Sequence, residues 1–185
     1  MPSNLPAPEV LLISRLEWDY FITLTHAPRG SSKFAQPSQT KQKKRFARWL
    51  REASRTTGQH KDDLYWVKRW EVGRGGREHF HLLFRFFDRS LVTKTTRYSL
   101  KHIWESVLGY GIADVRDIHT MGVQAYITKI QNEYELNRFG SERFRHVEFS
   151  KSSIKAFRRQ LRQGSLHTGV RMPSIVSEGT APVAA

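Results

Sequence analysis

Polar and apolar positions alternate in the first structured stretch, "DYFITLTH" from Asp19 to His26, before "APRGSS" breaks the run, and this predicts a half-buried strand. The period then changes. Between Ser38 and Gly58, Phe46, Trp49, Leu50 and Ala53 recur at helical spacing while Lys41, Lys44, Arg48, Arg51 and Arg55 take the other side. Ser38 suits the start of this helix and Gly58 its end. Two strand-like runs, "DLYWVKRWEV" and "REHFHLLFRF", flank "GRGG" and predict a hairpin with a glycine-rich turn. A second helix is expected in "TTRYSLKHIWESVLG", with Leu100, Ile103, Trp104, Val107 and Leu108 on one stripe and Gly109 as terminator. "IADVRDIH" reads as a fourth, weaker strand and "TMGVQAYITKIQNEYELNRFG" as a third helix. "RFRHVEFS" adds an edge strand, and "SSIKAFRRQLRQG" a short basic helix with Ile154, Phe157 and Leu161 inward.

The order β, α, β, β, α, β, α predicts an α+β fold: a ferredoxin-like central antiparallel sheet with helices on one face and the other face open. A chain of 185 residues suits one domain, drawn over residues 1–163, with residues 164–185 expected to be a disordered tail. No internal repeat stands out.

Charge changes the picture from fold to partner. Lys and Arg outnumber Asp and Glu by 31 to 17, a net charge of +14, which favours a polyanion, nucleic acid ahead of a membrane surface. The absence of cysteine excludes disulfides, thiolate zinc sites and a cysteine nucleophile. The apolar run in "MPSNLPAPEVLLISR" is too short for a signal peptide or a membrane span, so the expected setting is the cytoplasm, of a bacterial host.

The hairpin carries the candidate chemistry. Alternation puts His79 and His81 on one strand face and Phe80, Leu82, Phe84 and Phe86 on the other. Pairing around Gly75 sets Glu71 opposite His79, and pairing around Gly76 sets it opposite His81. In both registers a carboxylate and two imidazoles share a face, a donor set that suits Mn²⁺ and admits Mg²⁺. On the third helix Val123, Ile127, Ile130 and Tyr134 form a core stripe, and Tyr126 and Lys129 are neighbours on its flank. A tyrosine can hold a phosphate covalently, and a nearby cation favours its phenolate. Thr23 and Thr25 point outward as in any half-buried strand, and His26 is expected at the surface.

Taken in order, "FITLTH", "HFH" and "YITK" resemble the three motifs of the HUH endonuclease superfamily, and specifically its rolling-circle replication initiator (Rep) proteins of plasmids, phages and single-stranded DNA viruses. "NRFGSERFR" is similar to the segment after the tyrosine helix in phage-type members. The resemblance spans Phe21 to Lys129. It implies the HUH fold, a divalent metal, Mg²⁺ or Mn²⁺, on His79, His81 and Glu71, and Tyr126 as a single nucleophile with Lys129 beside the phosphate. The implied substrate is single-stranded DNA or an origin hairpin, nicked and rejoined through a 5′-phosphotyrosine, with a host helicase and polymerase as further partners. Lys44, Arg48, Arg51, Arg74, Arg77, Arg143 and Arg145 are candidates for phosphate contact. No P-loop is present, so no helicase function is expected of this sequence. The alternatives are a relaxase or transposase of the same chemistry, and a non-catalytic basic module that binds single-stranded nucleic acid.

Overall fold

Strand β1, Tyr20–His26, buries every second side chain, so Tyr20, Ile22 and Leu24 face one side of a sheet and Phe21, Thr23 and Thr25 the other. This computed structural model describes residues 13, 16–27, 37–73, 77–118, 127 and 147–164, with side chains of the last stretch described to residue 160. Helix α1, Gln39–Thr57, starts where the Ser38 side chain accepts from the Lys41 N–H and stops at Gly58, whose φ of 69° is left-handed. Then come β2, Leu64–Val72, β3, Glu78–Phe86, α2, Lys94–His102, β4, Gly111–Asp117, β5, Val147–Phe149, and α3, Lys151–Gly164.

All strand pairs are antiparallel and the order is β4-β1-β3-β2-β5. With the chain order β1, α1, β2, β3, α2, β4, that is the ferredoxin-like pattern the sequence predicted, and β5 is the added edge strand. Phe46, Trp49 and Ala53 of α1, and Leu100 of α2 with Ile103 and Trp104 just beyond it, pack on Ile22, Leu24, Phe80, Leu82, Phe84 and Phe86. Full burial of side chains this large contributes about 1.5–3 kcal/mol each, which is what fixes both helices to this face. The Trp49 indole donates to the Leu100 carbonyl at 3.0 Å, and that of Trp104 to the Thr25 carbonyl at 3.1 Å.

Four expectations need correction. The predicted helical stripe puts Val107 inward, yet it is exposed. After α2 the chain widens into a π turn over Ile103–Val107, closed by the Leu108 N–H to the Ile103 carbonyl at 2.9 Å. The extra residue carries the stripe on to Leu108, which packs against the core. The second sheet face is not open throughout: Ile13, Leu16, Trp18, Val67, Leu83, Ile127 and Val147 form a second buried cluster on it. His26, expected at the surface, is 1% exposed. On α3, Phe157 is buried as expected but Ile154 is only half-buried, and Ser152 and Ser153 are buried instead. The predicted third helix lies outside the described residues except Ile127, which is helical and fully buried; the tail after Gly164 lies outside them too.

Among the described residues Gly111 is the strand position that demands glycine. Its φ is 148°, and a Cβ there would meet the Thr25 carbonyl oxygen and come within 2.6 Å of the Ala27 nitrogen.

Candidate metal centre and nucleic-acid surface

Register decides the site. β2 and β3 pair so that Glu71 stands opposite His79, the alignment centred on Gly75, while β1 sets Thr23 opposite His81. Glu71, His79 and His81 therefore share a sheet face, and one ligand atom from each lies within 4.8 Å of the others. The two Nε2 atoms are 2.9 Å apart, His81 Nε2 is 3.4 Å from Glu71 Oε2, and His79 Nε2 is 3.8 Å from Glu71 Oε1. Metal–ligand bonds of about 2.1 Å imply donor separations of about 3.0 Å in an octahedral site and about 3.4 Å in a tetrahedral one, so the group fits a single cation.

A hydrogen bond on the far side of each ring holds Nδ1, and for His79 it also sets the tautomer. His79 Nδ1 lies 3.2 Å from the Arg77 carbonyl, which can only accept, so the ring proton belongs there and the Nε2 lone pair is free. His81 Nδ1 lies 3.0 Å from the Thr23 hydroxyl, and Phe21 stacks on the same ring at 5.3 Å. When His81 donates to Thr23, two lone pairs and a carboxylate converge on one point, an arrangement that calls for a positive charge between them. Glu71 and His81 are each 6% exposed, so that charge is largely shielded from solvent.

Sequence reasoning missed the supports of this cluster. Thr23 reads as an outward strand residue, and only the β1–β3 pairing reveals its contact with His81. Arg69 is not singled out in the sequence, yet it is fully buried on the same face, with Nε 3.8 Å from Glu71 Oε2 and Nη1 donating to the Ile127 carbonyl at 3.3 Å. Alternation on β2 puts Arg69 and Glu71 on one face, the only signal available beforehand.

The other predicted residues divide. Lys44, Arg48 and Arg51 line a groove of about 550 Å³ with Lys41, Arg45 and Tyr110, and no carboxylate is among the described residues that line it. Arg45 stacks over the Tyr110 ring at 4.7 Å. This groove lies on the helix side of the sheet, so the structure does not bring these cations to the face of the metal cluster. Arg77 is exposed just before β3. Tyr126, Lys129, Arg74, Arg143 and Arg145 lie outside the described residues.

Two buried bases belong to the core rather than to the site. Lys68, 1% exposed, pairs with Glu148 at 3.0 Å and lies 4.6–5.2 Å from the rings of Phe46, Phe80 and Trp70; burial lowers its pKa. His26 sits between Phe80 and Trp104 with Nδ1 3.5 Å from Arg45, and burial, helped by that guanidinium, pushes its pKa down to about 3.

No described helix is long and apolar enough to cross a membrane. The family described as Replication-associated protein ORF2/G2P matches residues 19–133, more than half of the chain. Comparison with curated proteins finds no match. Among solved structures, the N-terminal nuclease domain of minute virus of mice non-structural protein-1, described by its Zn²⁺ coordination and its recognition of DNA at the origin of replication, aligns over 78% of this chain and 73% of that chain. Its identity is 12% and the TM-score 0.33, a slight likeness.

Proposed function

The chain belongs to the family of ORF2/G2P replication-associated proteins, and from that membership we propose that it starts rolling-circle replication by nicking and rejoining single-stranded DNA at the cluster of Glu71, His79 and His81. The observation that carries the reading is the convergence of both Nε2 atoms and the Glu71 carboxylate on one point. Two further facts support it. The face that holds the cluster also holds Ile127, the residue after Tyr126 in sequence, through the Arg69 hydrogen bond. Five cations line the groove on α1 and offer a second stretch of DNA a phosphate surface.

Glu71, His79 and His81 hold Mg²⁺ or Mn²⁺ in this reading, and the ion, when bound, offsets negative charge on the phosphate under attack. The Arg77 carbonyl keeps His79 in the tautomer that points the Nε2 lone pair at it, and the Thr23 hydroxyl, accepting from His81 Nδ1, orients the second ring the same way in this reading. Tyr126 is the nucleophile: its Oη forms a bond to phosphorus, the P–O3′ bond breaks, the phenol gives up its proton, and the departing 3′ oxygen takes one up. The 5′ side stays on Tyr126 as a phosphotyrosine, and Lys129 balances charge beside it. Rejoining is the reverse, with a 3′-hydroxyl attacking the phosphotyrosine and Tyr126 released. The free 3′-hydroxyl serves as primer for a host polymerase, with a host helicase opening the duplex.

The test is a denaturing gel of end-labelled single-stranded DNA incubated with the protein in Mn²⁺ or EDTA, on a pool of sequences or the element's own origin. A metal-dependent covalent adduct, lost in Tyr126→Phe and in His81→Ala while both variants keep their DNA affinity in EDTA, is the expected outcome. An equal adduct yield from Tyr126→Phe removes the nucleophile assignment, and an unchanged metal titration of His81→Ala removes the metal site.

A further inference from the structure

At the opposite end of the hairpin from the metal cluster, a groove of about 680 Å³ runs between α3 and the outer ends of β2 and β3. Lys61, Arg85, Lys151, Lys155 and Arg159 line it, against one carboxylate, Asp62, among the described residues. Five cations around one concavity repel one another, and an anionic ligand relieves that repulsion.

Charge alone fits any polyanion, and the aromatic side chains narrow the choice. Phe87, just past β3, is 66% exposed in this groove although Phe84 and Phe86 beside it are fully buried. Tyr65 is half-buried in the same wall, with the Arg85 guanidinium 5.8 Å from its ring. Arg85 Nε and Gln160 Oε1, both from lining residues, have no hydrogen-bond partner among the described residues. Open rings interleaved with cations suit single-stranded nucleic acid, whose bases are free to stack; a duplex keeps its base faces to itself.

We infer that this groove is a second binding site for single-stranded DNA, with phosphates on Lys151, Lys155 and Arg159 and bases on Phe87 and Tyr65. Tyr65 pairs with Arg85 on the same sheet face on which Glu71 pairs with His79. Six strand positions separate Tyr65 from Glu71, about 20 Å at the usual rise per residue. The second apolar cluster covers the sheet between them. DNA held here is gripped away from the phosphate being cut. The site therefore goes beyond the nicking reading and stands whether or not the cluster cuts DNA.

Fluorescence anisotropy of a labelled oligothymidine with the full chain in EDTA tests it, because EDTA prevents cleavage. Phe87, Lys155 and Arg159 are exposed, so their variants are expected to keep the wild-type circular dichroism melt. Lys155→Ala with Arg159→Ala is expected to weaken binding tenfold or more and to reduce the slope of log affinity against log salt by about 1.4, two phosphate contacts' worth. Phe87→Ala is expected to weaken oligothymidine binding about five- to a hundredfold while leaving duplex affinity alone. Wild-type affinity and salt slope in both variants overturn the site. Binding is read in EDTA and the covalent adduct in Mn²⁺ on the same variants, so a failed cleavage assay and a failed groove are told apart.

Discussion

His81 is set from three directions: Thr23 on Nδ1 at 3.0 Å, Phe21 stacked on the ring, and Glu71 3.4 Å from Nε2. Thr23→Val keeps the shape of the strand and removes the hydroxyl that holds His81 Nδ1. Loss of such a partner commonly costs ten- to a hundredfold in metal affinity, so isothermal titration with Mn²⁺ should show a drop of about that size at nearly unchanged stability. Equal Mn²⁺ affinity would leave Thr23 as a packing residue only. His26 carries a different consequence. Its folded pKa, about 3, lies below the ordinary 6.5, so the unfolded state binds the extra proton and stability is lost as pH falls through the unfolded value toward the folded one. Between pH 7 and pH 5 the loss is about 2 kcal/mol. Urea unfolding in EDTA at the two pH values should show that difference, and His26→Gln should lack it; an equal acid loss in the variant would assign the slope to other groups.

At the scale of the element, β3 explains why part of the site was legible and part was not. Its alternation of His79 and His81 with Phe80, Leu82, Phe84 and Phe86 is a local pattern, and the glycine-rich turn narrowed the β2 register to two choices, one of which the structure adopts. Both choices put Glu71 on the histidine face, so the cluster could be read from sequence. Helix α1 was legible for the same reason, since Ser38, Gly58 and the apolar stripe all lie within the segment they define. Contacts between distant segments were not. Thr23 meets His81 only because β1 lies beside β3, and Arg69 meets Ile127 only because a distant segment returns to the sheet. His26 looked exposed because it sits at a strand end, yet Phe80 and the Trp104 ring close over it. Val107 fell on the predicted stripe because a π turn leaves no mark in helical periodicity.

At the scale of the whole molecule the net charge is +14, and among the described residues cations line both sides of the sheet, five in the α1 groove and five in the α3 groove. Two ion pairs are a separate population, Asp19 with Arg89 at 2.9 Å and Lys68 with Glu148 at 3.0 Å, each with one member almost wholly buried, whereas the shorter Arg97–Asp117 and Arg116–Asp114 pairs are exposed. Salt screens exposed charges beyond roughly 10 Å at 0.1 M and buried pairs much less. Added NaCl should therefore relieve the repulsion among surface cations more than it weakens these pairs, and the melting temperature should rise between 50 and 200 mM. Binding responds with the opposite sign. Five phosphate contacts to single-stranded DNA give a slope of about −3.5 in log affinity against log salt, about a hundredfold loss over the same fourfold range. Differential scanning fluorimetry and anisotropy on one sample series measure both. A melting temperature that falls with salt would mean that the ion pairs outweigh the net repulsion. A salt-independent affinity would mean that the cations of the two grooves do not hold phosphates, and would leave stacking on Phe87 and Tyr65 as the source of binding in the α3 groove.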